Sequence, residues 1–184
     1  MKAFKKIKYS LLVERVRQGD KDAFTVIFDE YYPKIFRYVY FKVPRLETCE
    51  DLSNEVFLKF WQATYHDKKK VKDLQAFLYR IAHNTVIDFY RTRKAEVSLN
   101  EAINAPDEHS EKIMKDINID QDMRKVIEAL RGLPDDQAEI ISLKYIEELS
   151  VKEIAQITGK KENNVRVILH RAIKILQNKL NNNN

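Results

Sequence analysis

The 184-residue chain has one cysteine, three glycines and four prolines. A single thiol, Cys49, excludes an intramolecular disulfide framework and any metal site built from clustered cysteines. So few glycines and prolines argue against collagen, low-complexity coil or a turn-rich β-sandwich. No apolar run approaches the ~20 residues needed to span a membrane as a helix. The opening segment MKAFKKIKYSLLVERVRQGD is basic but has no long apolar stretch and no small-residue cleavage site. It does not read as a signal peptide, and the expected location is cytoplasmic. The motifs of catalysis are missing too. The four histidines, His66, His83, His109 and His170, are scattered. There is no H-E-x-x-H, no glycine loop to cradle phosphate and no nucleophile motif. Cys49 stands at a helix start, where a thiol pKa can fall; its ordinary reading is a small core residue.

Hydrophobic residues make up 44% of the chain, enough for a packed core at a length of one or two domains. The charge is unevenly placed. Residues 1–95 carry 20 Lys and Arg against 12 Asp and Glu. Residues 96–121 carry 2 against 7, and residues 122–184 carry 11 against 9. A basic block, an acidic strip and a mildly basic block suggest two domains and a connector. Excess positive charge favours polyanions, because phosphate contacts release counterions.

No clear run alternates with period two, so the expected class is all-α. Residues 10–18 and 21–42 read as helices broken at Gly19-Asp20, with Asp20 as N-cap of the second. The aromatics of that second helix, from Phe24 to Phe41, read as core. A third helix is expected from Thr48, in a capping box with Asp51, to about Tyr65. The polar run His66–Lys70 follows, then a fourth helix over roughly 73–93. Residues 96–121 read as a linker with a short helix near 110–117. Helices are expected again at 122–131, 135–147, 150–157 and 161–180.

Residues 150–176 carry the strongest local motif. Ala155 is small where two helices must approach, Gly159 follows where a turn needs positive φ, and Val165 and Ile168 anchor the next helix. This spacing fits a helix-turn-helix; an ordinary αα-hairpin is the plainer alternative. At ~100° per residue, Val165, Ile168, Leu169, Ala172, Leu176 and Leu180 fall on one arc. Asn163, Arg166, Val167, His170, Arg171 and Lys174 fall opposite. Those cations suit phosphate and guanine, and the amides suit adenine.

Two more helical faces stand out. On the third helix, Leu52, Val56, Phe57, Phe60 and Trp61 form an apolar arc. The other side holds Asp51, Asn54, Glu55 and Gln62 with Leu58 among them. A large apolar side chain inside a polar rim is either a protein-docking spot or a scattered surface leucine. On the fourth, Leu74, Phe77, Leu78, Ile81, Thr85 and Phe89 are expected to face the core. Arg80, Asn84 and Arg91, flanked by His83, Ile87 and Tyr90, share another face. Cation, amide and aromatic together suit unpaired nucleic acid.

Five segments in order resemble an extracytoplasmic-function (ECF) sigma factor, the two-domain class of bacterial RNA polymerase sigma subunits. They are Gly19-Asp20-x-x-Ala23-Phe24 with Tyr31-Tyr32-Pro33; Glu50-Asp51-Leu52-x-Asn54-Glu55-Val56-Phe57-Leu58-x-x-Trp61; Phe77-Leu78-Tyr79-Arg80-Ile81-Ala82-x-Asn84-x-x-Ile87-Asp88-x-x-Arg91; Leu133-Pro134 through Leu143; and Glu153-Ile154-Ala155 through His170-Arg171-Ala172. Asn54 stands where the family usually has Gln, Phe77 where it has Trp, and Asn163-Asn164 where Gly-Thr is common. Val167-Ile168 replaces a common Ser-Arg, which leaves the preferred −35 sequence open.

The resemblance implies two small helical domains, residues 7–95 and 122–180, joined by an acidic linker over 96–121. The second would be a four-helix domain with the helix-turn-helix. Asp51, Asn54, Glu55 and Leu58 would dock on core polymerase. Lys68 and Lys69, with Arg80, His83, Asn84 and Arg91, would meet the −10 element. Asn163, Asn164, Arg166, Val167, His170, Arg171 and Lys174 would meet the −35 element. The acidic linker would run through the polymerase, where its charge resembles that of RNA. The resemblance also implies an anti-sigma partner, often membrane-bound, and no cofactor, metal or small-molecule substrate. A stand-alone helix-turn-helix regulator is the main alternative, and it leaves the Asp51–Leu58 face without a role.

Overall fold

A computed structural model describes residues 2–43, 45–97, 130 and 132–181. The chain separates into two compact units, Met1–Glu108 and His109–Asn184. All regular structure among the described residues is helical.

The first unit begins with α1, Lys2–Arg17, and α2, Lys21–Tyr40. Gly19 and Asp20 make the break between them. Gly19 has a φ of +92°, a left-handed conformation that favours a residue without Cβ. The Asp20 carboxylate accepts from the amides of Asp22 and Ala23, each at 3.0 Å, so the expected N-cap is present. The Ala23 amide, and then the Arg15 guanidinium, hold this carboxyl below the usual carboxylate range.

Helix α3 spans Leu46–Trp61. It starts two residues before the expected capping box at Thr48, behind Arg45, whose side chain makes no cap bond. Leu46 is buried, so packing rather than capping fixes this start. At its other end α3 gives way to one π-helical turn, Gln62–His66, closed by the Asp67 amide on the Gln62 carbonyl at 3.1 Å. Helix α4 spans Leu74–Val97, four residues past its expected end and into the segment expected to be linker. The Asp73 carboxylate caps it, accepting from the Ala76 amide at 3.0 Å.

Four of the seven aromatics of α2 are core, as their crowding suggests, and Phe24, Phe28 and Tyr32 are half-buried. Tyr31, Phe36, Tyr38 and Tyr40 are buried. Phe28 meets Phe57 edge-on at 4.8 Å, and Phe24 meets Trp61 edge-on at 5.2 Å. Such pairs add about 0.5–1.5 kcal/mol beyond the burial of their area. The buried arc of α4 is wider than the expected one. Ile81 and Phe89 are only half-buried, while Tyr79, Ala82 and Val86 are inside. The reason is that α4 packs against α1, α2 and α3 together, so a single-sided wheel places its arc too narrowly.

In the second unit, α5 spans Asp135–Ile141 and runs into a second π-helical turn, Ser142–Ile146. Helices α6, Val151–Thr158, and α7, Glu162–Asn181, form the helix-turn-helix. Ser150 and Glu153 close a reciprocal capping box on α6. Ala155 is buried, and Gly159 takes a φ of +67°. No atom lies within 4 Å of a Cβ built on Gly159, so backbone conformation rather than space requires the glycine. Val165, Ile168, Leu169 and Ala172 are buried, as the wheel indicates, and Leu176 is half-buried. The Leu180 side chain, the acidic linker beyond Val97, the short helix expected near 110–117 and, apart from Leu130, the helix expected over 122–131 lie outside the described residues.

Candidate functional site

Three surfaces carry the residues picked out by the sequence. The first is the outer face of α3. Asp51 and Asn54 are exposed, Glu55 is half-buried, and Leu58 is 55% exposed. The packing of Leu52, Val56, Phe57 and Phe60 inward forces this face out, because i, i+4 and i+7 share one side of a helix. Lys59 went unnoticed in the sequence. Its ammonium pairs with Glu55 at 2.7 Å and donates to Thr85 Oγ1 at 3.1 Å. It therefore ties this face to α4. A Glu followed by Lys four residues later was the available signal.

The second surface is the stripe on α4. Arg80, Asn84, Ile87 and Arg91 are all exposed and recur at the i, i+4, i+7 and i+11 positions of one face. Tyr90 is 44% exposed and its hydroxyl donates to the Lys42 carbonyl. His83 is half-buried, with Nδ1 3.5 Å from the Tyr38 hydroxyl, so it sits at the edge of the stripe. Arg91 pairs with Asp88 at 3.0 Å. The loop before α4 joins this surface through an aromatic ring. The Lys69 ammonium lies 5.7 Å from the Phe77 ring centroid and the Arg80 guanidinium 5.3 Å from it. Phe77 thus holds two cations while being buried itself. Lys68 behaves differently, because its ammonium donates to the Arg17 carbonyl at 2.7 Å.

The third surface is the outer arc of α7. Asn163, Asn164, Arg166, Val167, His170, Arg171 and Lys174 are all exposed. Val167 is 46% exposed, an apolar patch suited to a thymine methyl. The Arg166 guanidinium is already engaged along its own helix. It donates to Asn163 Oδ1 at 3.0 Å and pairs with Glu162 at 3.1 Å. Glu162 was overlooked in the sequence, though a Glu four residues before an Arg is a readable pair.

Cys49 has no exposed surface, and its thiol donates to the Phe36 carbonyl at 3.4 Å. Burial pushes the thiol well up, which suits a core residue rather than a nucleophile. Among the described residues no three His, Cys, Asp or Glu side chains are grouped to hold a metal ion. None of the described helices is long and apolar enough to cross a membrane.

Residues 27–96 match the family described as Sigma-70 region 2, and residues 123–176 match Sigma-70, region 4. The ECF RNA polymerase sigma-E factor of Haemophilus influenzae is 31% identical over 182 residues, covering 92% of this chain and 93% of that one. The chain belongs to the sigma-70 family, among its ECF sigma factors. The region 2 match takes in the α3 face and the α4 stripe, and the region 4 match takes in α5, α6 and most of α7. This sigma factor is also 31% identical over 168 residues to the ECF sigma factor BldN of Streptomyces coelicolor. That match covers 90% of this chain but spans only 63% of BldN's length. Among solved structures, CnrH in complex with the cytosolic domain of CnrY shares the fold, with a TM-score of 0.67 at 20% identity. It covers 95% of this chain and 98% of CnrH.

Proposed function

We propose that this sigma factor directs core RNA polymerase to promoters by reading a −10 element with its first domain and a −35 element with its second. The observation that carries the proposal is the pairing of two exposed cation-and-amide faces, one on each unit, with a separate apolar anchor on α3. A stand-alone duplex-binding regulator needs only the α7 face. A polymerase subunit that opens DNA needs all three.

Residues 7–95 form the first domain in this reading, 96–121 the linker and 122–180 the second domain. Asp51, Asn54, Glu55 and Leu58 dock on the polymerase. Exposed Leu58 supplies the desolvated centre and its polar neighbours the rim. Arg80, His83, Asn84 and Arg91, with Lys69 on the Phe77 ring, receive the −10 strand. Opening a duplex costs stacking and pairing, and a face that holds unpaired bases offsets that cost. On α7, Asn163, Asn164, Arg166, Val167 and His170 approach base edges in the major groove. Arg171 and Lys174 meet phosphates. An anti-sigma factor that restrains the protein belongs to the same proposal. The chain carries no catalysis in this account; the chemistry is the polymerase's.

Asn84→Ala tests the melting step. The side chain is exposed, so the fold and holoenzyme assembly should persist. Permanganate reactivity of −10 thymines should fall with the mutant holoenzyme. Normal melting would remove Asn84 from the −10 face.

A further inference from the structure

We propose that Lys68 is a positioning residue that clamps the Gln62–Lys70 loop onto the α1–α2 turn and so presets the loop before DNA arrives. This replaces the phosphate contact that its place in a lysine run suggests. The proposal rests on the reading above that this loop faces the −10 element.

Four positions interlock. Lys68 has a φ of +51°, a left-handed backbone that a lysine rarely adopts. In that conformation its ammonium reaches back across the sequence to the Arg17 carbonyl at 2.7 Å. Arg17 is the last residue of α1, and its carbonyl belongs to the set that a helix leaves without an internal partner. The helix dipole also places partial negative charge there, so a cation is favoured. The same ammonium lies 4.5 Å from the centroid of the Tyr65 ring, which backs it. Tyr65 in turn lies on Gly19. A Cβ built on Gly19 would be 2.8 Å from Tyr65 Cε2, closer than real contacts allow. The glycine in the α1–α2 turn is therefore needed twice, for its φ of +92° and for the space the ring takes.

The rest of the loop is held from both ends. Trp61 contacts the Tyr65 ring at 5.0 Å and the Phe24 ring at 5.2 Å, which ties the π-turn to α2. The Lys69 amide donates to the Ala63 carbonyl at 3.0 Å. A loop ordered in this way loses less conformational freedom on binding, and it presents one geometry to the strand. Lys68 thereby affects which −10 sequence fits, through the loop and without touching DNA.

Lys68→Asn separates a clamp from a phosphate contact. Asparagine tolerates left-handed backbone, but it is too short to reach Arg17. Two measurements are made on the full chain. Hydrogen exchange in the free protein should become about fivefold faster across residues 62–70. Promoter selection with the holoenzyme at two salt concentrations should show a broader −10 preference with an unchanged salt slope. Unchanged exchange with a salt slope lowered by about one and an intact −10 preference would make Lys68 a phosphate contact and overturn the clamp. Faster exchange with an intact −10 preference would leave the clamp as a structural fact and overturn its role in promoter reading, whereas failure of the −10 reading itself would show separately, as normal melting with Asn84→Ala.

Discussion

Leu58→Asp should remove most of the affinity for core polymerase and leave the fold unchanged. Leu58 is 55% exposed on α3, surrounded by Asp51, Asn54 and Glu55. A buried apolar anchor at the centre of an interface typically contributes ~2 kcal/mol or more, which is about thirtyfold in dissociation constant. An aspartate there also places a third carboxylate beside Asp51 and Glu55, and desolvating it on docking adds to the loss. The inward side of the helix is untouched, since Leu52, Val56, Phe57 and Phe60 fill the core. Circular dichroism should therefore match the wild type while binding to core polymerase fails. Normal binding would show that Leu58 is an ordinary surface leucine. Lost helicity would show that the outward assignment of this face is wrong.

Phe77→Ala is the counterpart at a buried position. The ring is 7% exposed and meets Phe60 edge-on at 6.3 Å. Truncating a buried phenylalanine to alanine costs about 3–5 kcal/mol, through lost transfer energy and the cavity left behind. A small domain has only ~5–15 kcal/mol in total, so the first unit should approach its unfolding threshold. Urea titration read through the first unit's aromatic signals should show the midpoint drop while the slope persists. The Lys69 and Arg80 cations also lose the ring they lie over. The −10 face should then be impaired even at temperatures where the mutant remains folded. A loss below about 1 kcal/mol would contradict the core assignment of Phe77.

These two residues also illustrate what was legible in the sequence. Leu58 and Phe77 are both large and apolar, and helical periodicity alone puts one outside and one inside. The same periodicity places the α7 arcs, where Val165, Ile168, Leu169 and Ala172 are buried and Arg166 and His170 exposed. The Asp20 cap and the Gly159 turn were readable because each depends on local chemistry. The misplacements arose where tertiary packing overrides a local rule. Helix α3 starts at Leu46 because that leucine is buried, although Thr48 looks the better cap. Helix α4 buries Tyr79, Ala82 and Val86 because several neighbours enclose it. The π-turns at Gln62–His66 and Ser142–Ile146 insert one residue's slip that a fixed 100° wheel cannot register. The contact of Lys68 with the Arg17 carbonyl is not legible in the sequence, where a lysine run suggests phosphate, because that partner is 51 residues away.

Transcription from a promoter library tests the central claim most directly. Core polymerase is supplied with the wild-type chain or with Arg166→Ala. The account predicts that core alone selects nothing, and that the wild-type chain enriches two sequence blocks, one at −35 and one at −10. Arg166 is exposed on α7, held ready by Glu162 and Asn163. Its loss should relax one −35 position by ~1–3 kcal/mol and leave the −10 block intact. The contradicting result is a library transcribed no more selectively with the chain than without it.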